Sequence, residues 1–163
     1  EELIVRQKEI YDGAIPSGNS VAVLNLFRLA RITADTDLED KANKIMLAFS
    51  KDVKSVPSGY TQMMVALDFG ISPSYEIVIA GNPQAKDTKE MLKSLRKHFI
   101  PNKVVLLRPS DQEEPDIIRI ARFTEYQSSL DGKATAYVCL DYACKMPVTD
   151  AEEMLKLLNV SSE

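Results

Sequence analysis

Two groups of side chains in this sequence are of the types that do chemistry. The first is Cys139-Leu140-Asp141-Tyr142-Ala143-Cys144, with four residues between the cysteines. That is not the two-residue spacing of a thioredoxin-type motif. It follows a strand-like run and is read as preceding a helix, a place where α/β proteins build sites. A thiol there can be activated by helix amides or a neighbouring cation, which makes Cys139 and Cys144 redox candidates. The blander reading is a small buried hydrophobe at Cys139 and a Cys144 packed beneath a loop.

The second group is the loop Asp12-Gly13-Ala14-Ile15-Pro16-Ser17-Gly18-Asn19-Ser20. It leads into an apolar helical pattern. Free N–H groups at a helix start bind anions or sugar hydroxyls. Asp12 is the candidate general acid or base, with Ser17, Asn19 and Ser20 as candidate substrate-binding groups. One carboxylate is not a pair, however. The same residues also make a tight turn and an N-cap, with Ser17 satisfying orphan amides.

The elements that would position these groups follow from periodicity. Residues 18–33 read as a helix apolar on most sides, with Asn25, Arg28 and Arg31 as a narrow polar stripe, a pattern expected of a buried helix. Residues 38–53 read as an amphipathic helix, and 60–69 as a third. The run at 3–5 is an extended segment or a helix end. The grammar changes after Gly70-Ile71-Ser72-Pro73. Strands are expected at 76–81, 103–108 and 134–140. Helices are expected after a capping box at Asp87-Thr88-Lys89-Glu90, over 113–123, and after Thr149 or Asp150. Strand–helix alternation predicts a small, mostly parallel three-stranded α/β sheet with helices of the first half covering one face. The class is α/β, α+β overall. The expected domains are a helical segment over 1–73 and an α/β subdomain over 74–163.

Composition narrows the function classes. The 163 residues are 45% hydrophobic and 27% charged, as in globular domains. The net charge is −4 and the basic residues are dispersed, so a nucleic-acid footprint is absent. Nothing reads as a membrane span or a basic membrane-surface helix. Two cysteines are too few for a disulfide framework. With no secretory leader pattern, they suggest a cytoplasmic, reducing setting. His98 stands far from both cysteines, so no metal site is expected. Gly81-Asn82-Pro83 is not a dinucleotide fingerprint, and no cofactor is expected. The first residue is Glu1, which suggests a piece of a larger protein.

The loop Asp12 to Ser20 also carries a resemblance. So do the run from Ile79 to Leu107 and the segment Ala134-Thr135-Ala136-Tyr137-Val138-Cys139 with Cys144 and Pro147-Val148-Thr149-Asp150. In that order they resemble the YyaL / spermatogenesis-associated protein 20 family, and the resemblance spans nearly the whole chain. It implies a thioredoxin-like domain elsewhere in the parent chain, then a helical toroid similar to six-hairpin glycosidases and N-acylglucosamine 2-epimerases. This chain would be the closing α-hairpins and the C-terminal region. The activity implied first is carbohydrate processing or binding, with a sugar ligand at the 12–20 loop. The alternatives are a redox-linked scaffold, in which Cys139 and Cys144 exchange with the thioredoxin-like domain, and a non-catalytic interaction module.

Overall fold

A computed structural model describes residues 8–160. The apolar run at 3–5 lies outside them. The chain divides into two compact units, one of Glu1–Ala30 with Asp35–Ser72 and one of Arg31–Ala34 with Pro73–Glu163.

The first unit is helical. Helix α1 spans Gly18–Thr33, α2 Thr36–Ala48, α3 Ser50–Ser55 and α4 Thr61–Ile71. Asp35 caps α2 by accepting from the Asp37 N–H. The single helix expected over 38–53 is broken at Phe49, whose backbone (φ −107°, ψ 8°) leaves the helical region. The greasy α1 buries one face through Val23, Leu24 and Phe27, while Val21 and Leu29 stay exposed, so it is not covered on all sides. These helices do not by themselves close the toroid that the resemblance implies.

The second unit holds the sheet. Strand β1 is Tyr75–Gly81, β2 Lys103–Pro109, β3 Thr135–Leu140 and β4 Ala143–Cys144. It has four strands in the order β2-β1-β3-β4, not three. Only β1 and β2 are parallel; β3 runs antiparallel to β1, and β4 antiparallel to β3. Helix α5, Lys86–Lys97, supplies the crossover that the parallel pair needs. No comparable helix comes after β2. In the pattern read over 113–123 only α6, Ile117–Ile120, and a 3₁₀ turn, Arg122–Tyr126, form; α6 starts after Pro115 and ends where Ala121 (φ −124°, ψ 77°) leaves the helical region. Without a full crossover, β3 enters the sheet from the opposite end.

The capping box at Asp87 is also corrected. Helix α5 begins at Lys86, and Asp87 uses its carboxylate to accept from the Thr88 N–H and, at 2.7 Å, from the Ala134 N–H. The aspartate thus ties the helix to the chain entering β3. Asp150 caps α7, Ala151–Leu157, by accepting from the Glu152 and Glu153 N–H groups. His98 stands at the α5 terminus, its Nδ1 bonded to the Ser94 carbonyl at 2.8 Å.

Strand alternation divides the sheet into two faces. Ile77, Ile79, Ala136 and Val138 pack with Met91 and Leu95 of α5 and Met154 and Leu155 of α7 in one apolar core. Glu76 and Cys139 have the opposite parity and project from the other face.

Candidate functional site

In the second unit, Glu76 of β1 pairs with Cys139 of β3, and Cys139 pairs with Cys144 of β4. A carboxyl and two sulfurs therefore form one row across three adjacent strands. Side chains directly opposite one another in a sheet sit roughly 4.5–5.5 Å apart at Cβ. The Lys145 N–H donates to the Val138 carbonyl, so the cysteines fall between hydrogen-bonded pairs, where the side chains approach closest. They are joined as a disulfide, with Cα atoms 3.8 Å apart. The helix expected after this group is α7, with the hairpin lying between β3 and it; Cys139 is buried on a strand as the bland reading has it, but it is disulfide-bonded, and Cys144 is exposed rather than packed beneath a loop. Cys139 is buried at 3% exposure, whereas Cys144 is exposed.

The hairpin turn is Asp141-Tyr142, with φ of +48° and +67°. Positive φ at both central residues is the requirement of a type I′ turn, normally met by Asn-Gly or Asp-Gly. A tyrosine there is sterically disfavoured, so the surroundings must hold it. Glu76 Oε2 accepts from the Tyr142 N–H at 3.0 Å. The Arg31 guanidinium lies 4.4 Å from the centre of the Tyr142 ring. Arg31 also pairs with Glu76 at 3.2 Å and with Asp141 at 3.6 Å. Asp141 in turn accepts from the Ser74 N–H at 3.2 Å.

Glu76 is 2% exposed. Burial pushes its carboxyl above the ordinary range, against the Tyr142 N–H and the Arg31 guanidinium, which pull it down; the neighbouring Asp141 adds to the upward push. A buried carboxyl raised above its ordinary value thus stands beside a buried sulfur. A cavity of about 290 Å³ opens at this row, lined among others by Phe123, Gln127, Tyr142 and both cysteines.

Glu76, Arg31, Tyr142 and Gln127 escape a reading by composition. The available signal was Glu76 as the one charged residue opening an apolar strand, and Arg31 as the last cation of a largely apolar helix.

The 12–20 loop lies in the first unit. Asp12 is 7% exposed. It accepts from the Ser17 N–H at 2.8 Å, the Met63 N–H at 3.0 Å and the Ser20 hydroxyl at 3.1 Å. Its own N–H donates to the Gly59 carbonyl. Met63 lies in the first turn of α4, so Asp12 caps that helix from a distant part of the chain. Burial alone would raise the Asp12 carboxyl; the amides of Ser17 and Met63, the Ser20 hydroxyl and the Gln62 amide together outweigh it and hold it below its ordinary value. Ser17 accepts from the Ser20 N–H at 3.1 Å, capping α1. Asn19 Nδ2 donates to the Glu9 carbonyl at 2.6 Å. The four residues are brought together, then, with the carboxylate occupied by the loop and by α4.

A carboxyl held below its ordinary value stabilises the fold above that value and loses its effect as pH falls through the depressed one. Asp12→Asn should cost about 1.5–3 kcal/mol at neutral pH, the range for hydrogen bonds to a charged group. It should also flatten the acid limb of a stability–pH curve. Urea unfolding of both proteins from neutral to strongly acid pH checks this, and parallel curves would refute the role of the carboxylate charge.

No protein-family model matches the chain. No solved structure matches it either. Curated relatives do. Spermatogenesis-associated protein 20 of Homo sapiens is 40% identical over 157 residues, covering 96% of this chain and 20% of the relative. The Rattus norvegicus protein of the same name is 39% identical over 158 residues, again 20% of its length. An uncharacterized protein of Caenorhabditis elegans is 30% identical over 160 residues, 98% of this chain and 21% of that one. The chain spans about a fifth of the length of these relatives. No helix among the described residues is long and apolar enough to cross a membrane. On identity sustained over nearly its whole length, the chain is a homologue of one segment of spermatogenesis-associated protein 20.

Proposed function

We infer that the β3–β4 hairpin is a thiol–disulfide exchange element of a larger protein. Cys144 would receive the attack, Cys139 would be the resolving sulfur and Glu76 its proton partner. The observation that carries this reading is the single row of Glu76, Cys139 and Cys144 on adjacent strands, with Cys144 open to solvent and the other two buried.

The exchange balances with a dithiol as the co-reactant. A partner thiolate attacks Sγ of Cys144, the S–S bond breaks, and the electron pair leaves on Cys139. The nascent Cys139 thiolate is buried, where a charge is costly. The Glu76 carboxyl, next to it on β1, relays a proton to it from solvent. The partner's second thiolate then attacks the mixed disulfide. The partner leaves as a disulfide, and Cys144 leaves as a thiolate, protonated from solvent. The reverse sequence oxidises the hairpin. The thioredoxin-like domain that the resemblance implies is the partner of suitable chemistry.

The carbohydrate reading and the toroid it presupposes rest on the resemblance. In the 12–20 loop the Asp12 carboxylate serves backbone amides, which favours a structural role over proton transfer to a sugar.

Trapping tests the exchange reading. Cys139→Ser leaves Cys144 as a free thiol without its resolving sulfur, so it should attack the disulfide of an oxidised dithiol protein, displace one of that protein's thiolates, and hold the mixed disulfide, seen by intact mass once the displaced thiol is alkylated. Cys144→Ser should abolish that adduct. Equal adducts from both variants, or none from either, would count against the assignment.

A further inference from the structure

The sheet ends in a strand that no other strand covers on its outer side. In the order β2-β1-β3-β4, strand β2 pairs with β1 alone among the described residues. The register says which backbone groups are left over. Tyr75 pairs with Lys103, and its N–H donates to the Asn102 carbonyl, while the Ser110 N–H donates to the Gly81 carbonyl. In a parallel ladder alternate residues of a strand turn both N–H and C=O to the same neighbour. The even-numbered residues of β2 therefore serve β1, and the N–H and C=O groups of Lys103, Val105 and Leu107 point outward. An open row of this kind is a template for a further strand.

Proteins guard such edges with charge or proline. Here the guards stand only at the ends. Pro109, in an outward position, has no N–H to offer, and Pro101 has none ahead of Lys103. Between them Val105 is apolar and 39% exposed. A groove of about 350 Å³ opens beside the edge, walled by Leu92 and Leu95 of α5 and by Val105 and Leu107 of β2. Arg96 and Lys103 complete its lining. The Lys103 ammonium donates to the Ile100 carbonyl at 3.2 Å, and an ammonium has further N–H donors to offer. Arg96 is exposed and makes no ion pair among the described residues. In a chain of net charge −4, this groove is apolar and its charges are both cations.

We propose that the outer edge of β2 docks the C-terminal end of an extended polypeptide segment, which adds as an antiparallel strand and sets its carboxylate beside Lys103 and Arg96. Antiparallel pairing is the more stable kind, and it directs the guest's C-terminus toward the start of β2. That strand begins at Lys103, so the ladder gives out at the cations, where a chain end fits and a continuing chain finds no further partner. Alternate side chains of the guest enter the groove beside Val105 and Leu107. Its carboxylate makes charge-assisted hydrogen bonds with the two cations. Strand β1 separates this edge from the disulfide-bearing β3, and the docking is independent of the exchange reading.

Amide exchange of the full chain, followed residue by residue, tests the edge first. Val105 and Leu107 should exchange fast, and Val104 and Leu106 slowly. The probe is acetyl-Thr-Val-Thr-Val as the free acid, as the C-terminal amide, and as a free acid with N-methylated valines. The plain free acid at millimolar concentration should slow Val105 and Leu107, and the N-methylated one should not. The amide should bind about tenfold more weakly, the worth of one charge-assisted hydrogen bond. Arg96→Gln/Lys103→Gln should remove that difference, and Arg96→Gln alone, a change at an exposed side chain, should narrow it. Exchange at Val105 and Leu107 that no form of the peptide slows overturns the docking. Equal binding of acid and amide, or a difference that survives in the double variant, overturns the seat for a chain end. Protection of Val105 and Leu107 in the chain alone also overturns the proposal: if it rises with protein concentration the occupant is a second copy, and if it does not the edge is already covered within the chain.

Discussion

Arg31→Met is expected to destabilise the second unit by about 3–5 kcal/mol at mildly alkaline pH, the range for stripping one partner from a buried ion pair. Glu76 is left 2% exposed with its Arg31 contact gone, and the Tyr142 ring loses the cation at 4.4 Å. The pH dependence distinguishes this cause from simple loss of packing. A carboxyl raised in the folded state favours folding below its ordinary value and loses that contribution as pH rises through the raised one. Without Arg31 the carboxyl is pushed higher still. The penalty should therefore shrink on acidification, as Glu76 becomes neutral, and grow toward alkaline pH. Urea unfolding at pH values on both sides of the ordinary carboxylate range reads this directly. In the double variant Arg31→Met/Glu76→Gln the pH dependence should vanish and much of the loss should return. A penalty of equal size at every pH would show that Arg31 acts through its packing alone.

The second large effect concerns the reaction. Glu76→Gln keeps the shape of the side chain and an oxygen that can accept from the Tyr142 N–H. It removes the titrating carboxyl that relays a proton to Cys139 as that sulfur leaves. General acid–base groups contribute roughly 10²–10⁴-fold. We expect reduction of Cys139–Cys144 to slow by about a hundredfold and its dependence on the Glu76 carboxyl to disappear from the pH–rate profile. Stopped-flow reduction by a dithiol, with quenching and mass analysis, measures both. A wild-type rate and profile in Glu76→Gln would remove the carboxyl from the mechanism. A slower rate with an unchanged profile would reduce Glu76 to a support for the turn.

Much of the scaffold was legible because it depends on local pattern. The apolar run at β1, the second at β2 and the periodic helix between them are properties of contiguous residues, and they form where the spacing places them. The direction of β3 was not legible. It depends on the segment between β2 and β3, where the break at Ala121 leaves a four-residue helix in place of the crossover that the pattern predicts. The site suffered from the same locality. Cys139 and Cys144 stood out by type, but the sequence shows a spacing of five, not a turn that folds one onto the other. Asp141-Tyr142 does not carry the Gly that normally announces a two-residue hairpin. Its left-handed backbone is held by Glu76 and Arg31, each more than forty positions away. The 12–20 loop shows the converse. Its residue types were legible as a candidate ligand loop, yet the partner that occupies Asp12 is Met63, fifty-one positions on.

The most direct test of the exchange element is the reduction potential of the Cys139–Cys144 pair, measured by equilibrating the folded chain in graded thiol–disulfide buffers and counting alkylated thiols by intact mass. An exchange element should poise within the range of working dithiol proteins, about −120 to −270 mV, and should equilibrate reversibly without unfolding. A pair that stays oxidised below roughly −300 mV, or opens only when the second unit unfolds, would be a structural clasp and would contradict the account.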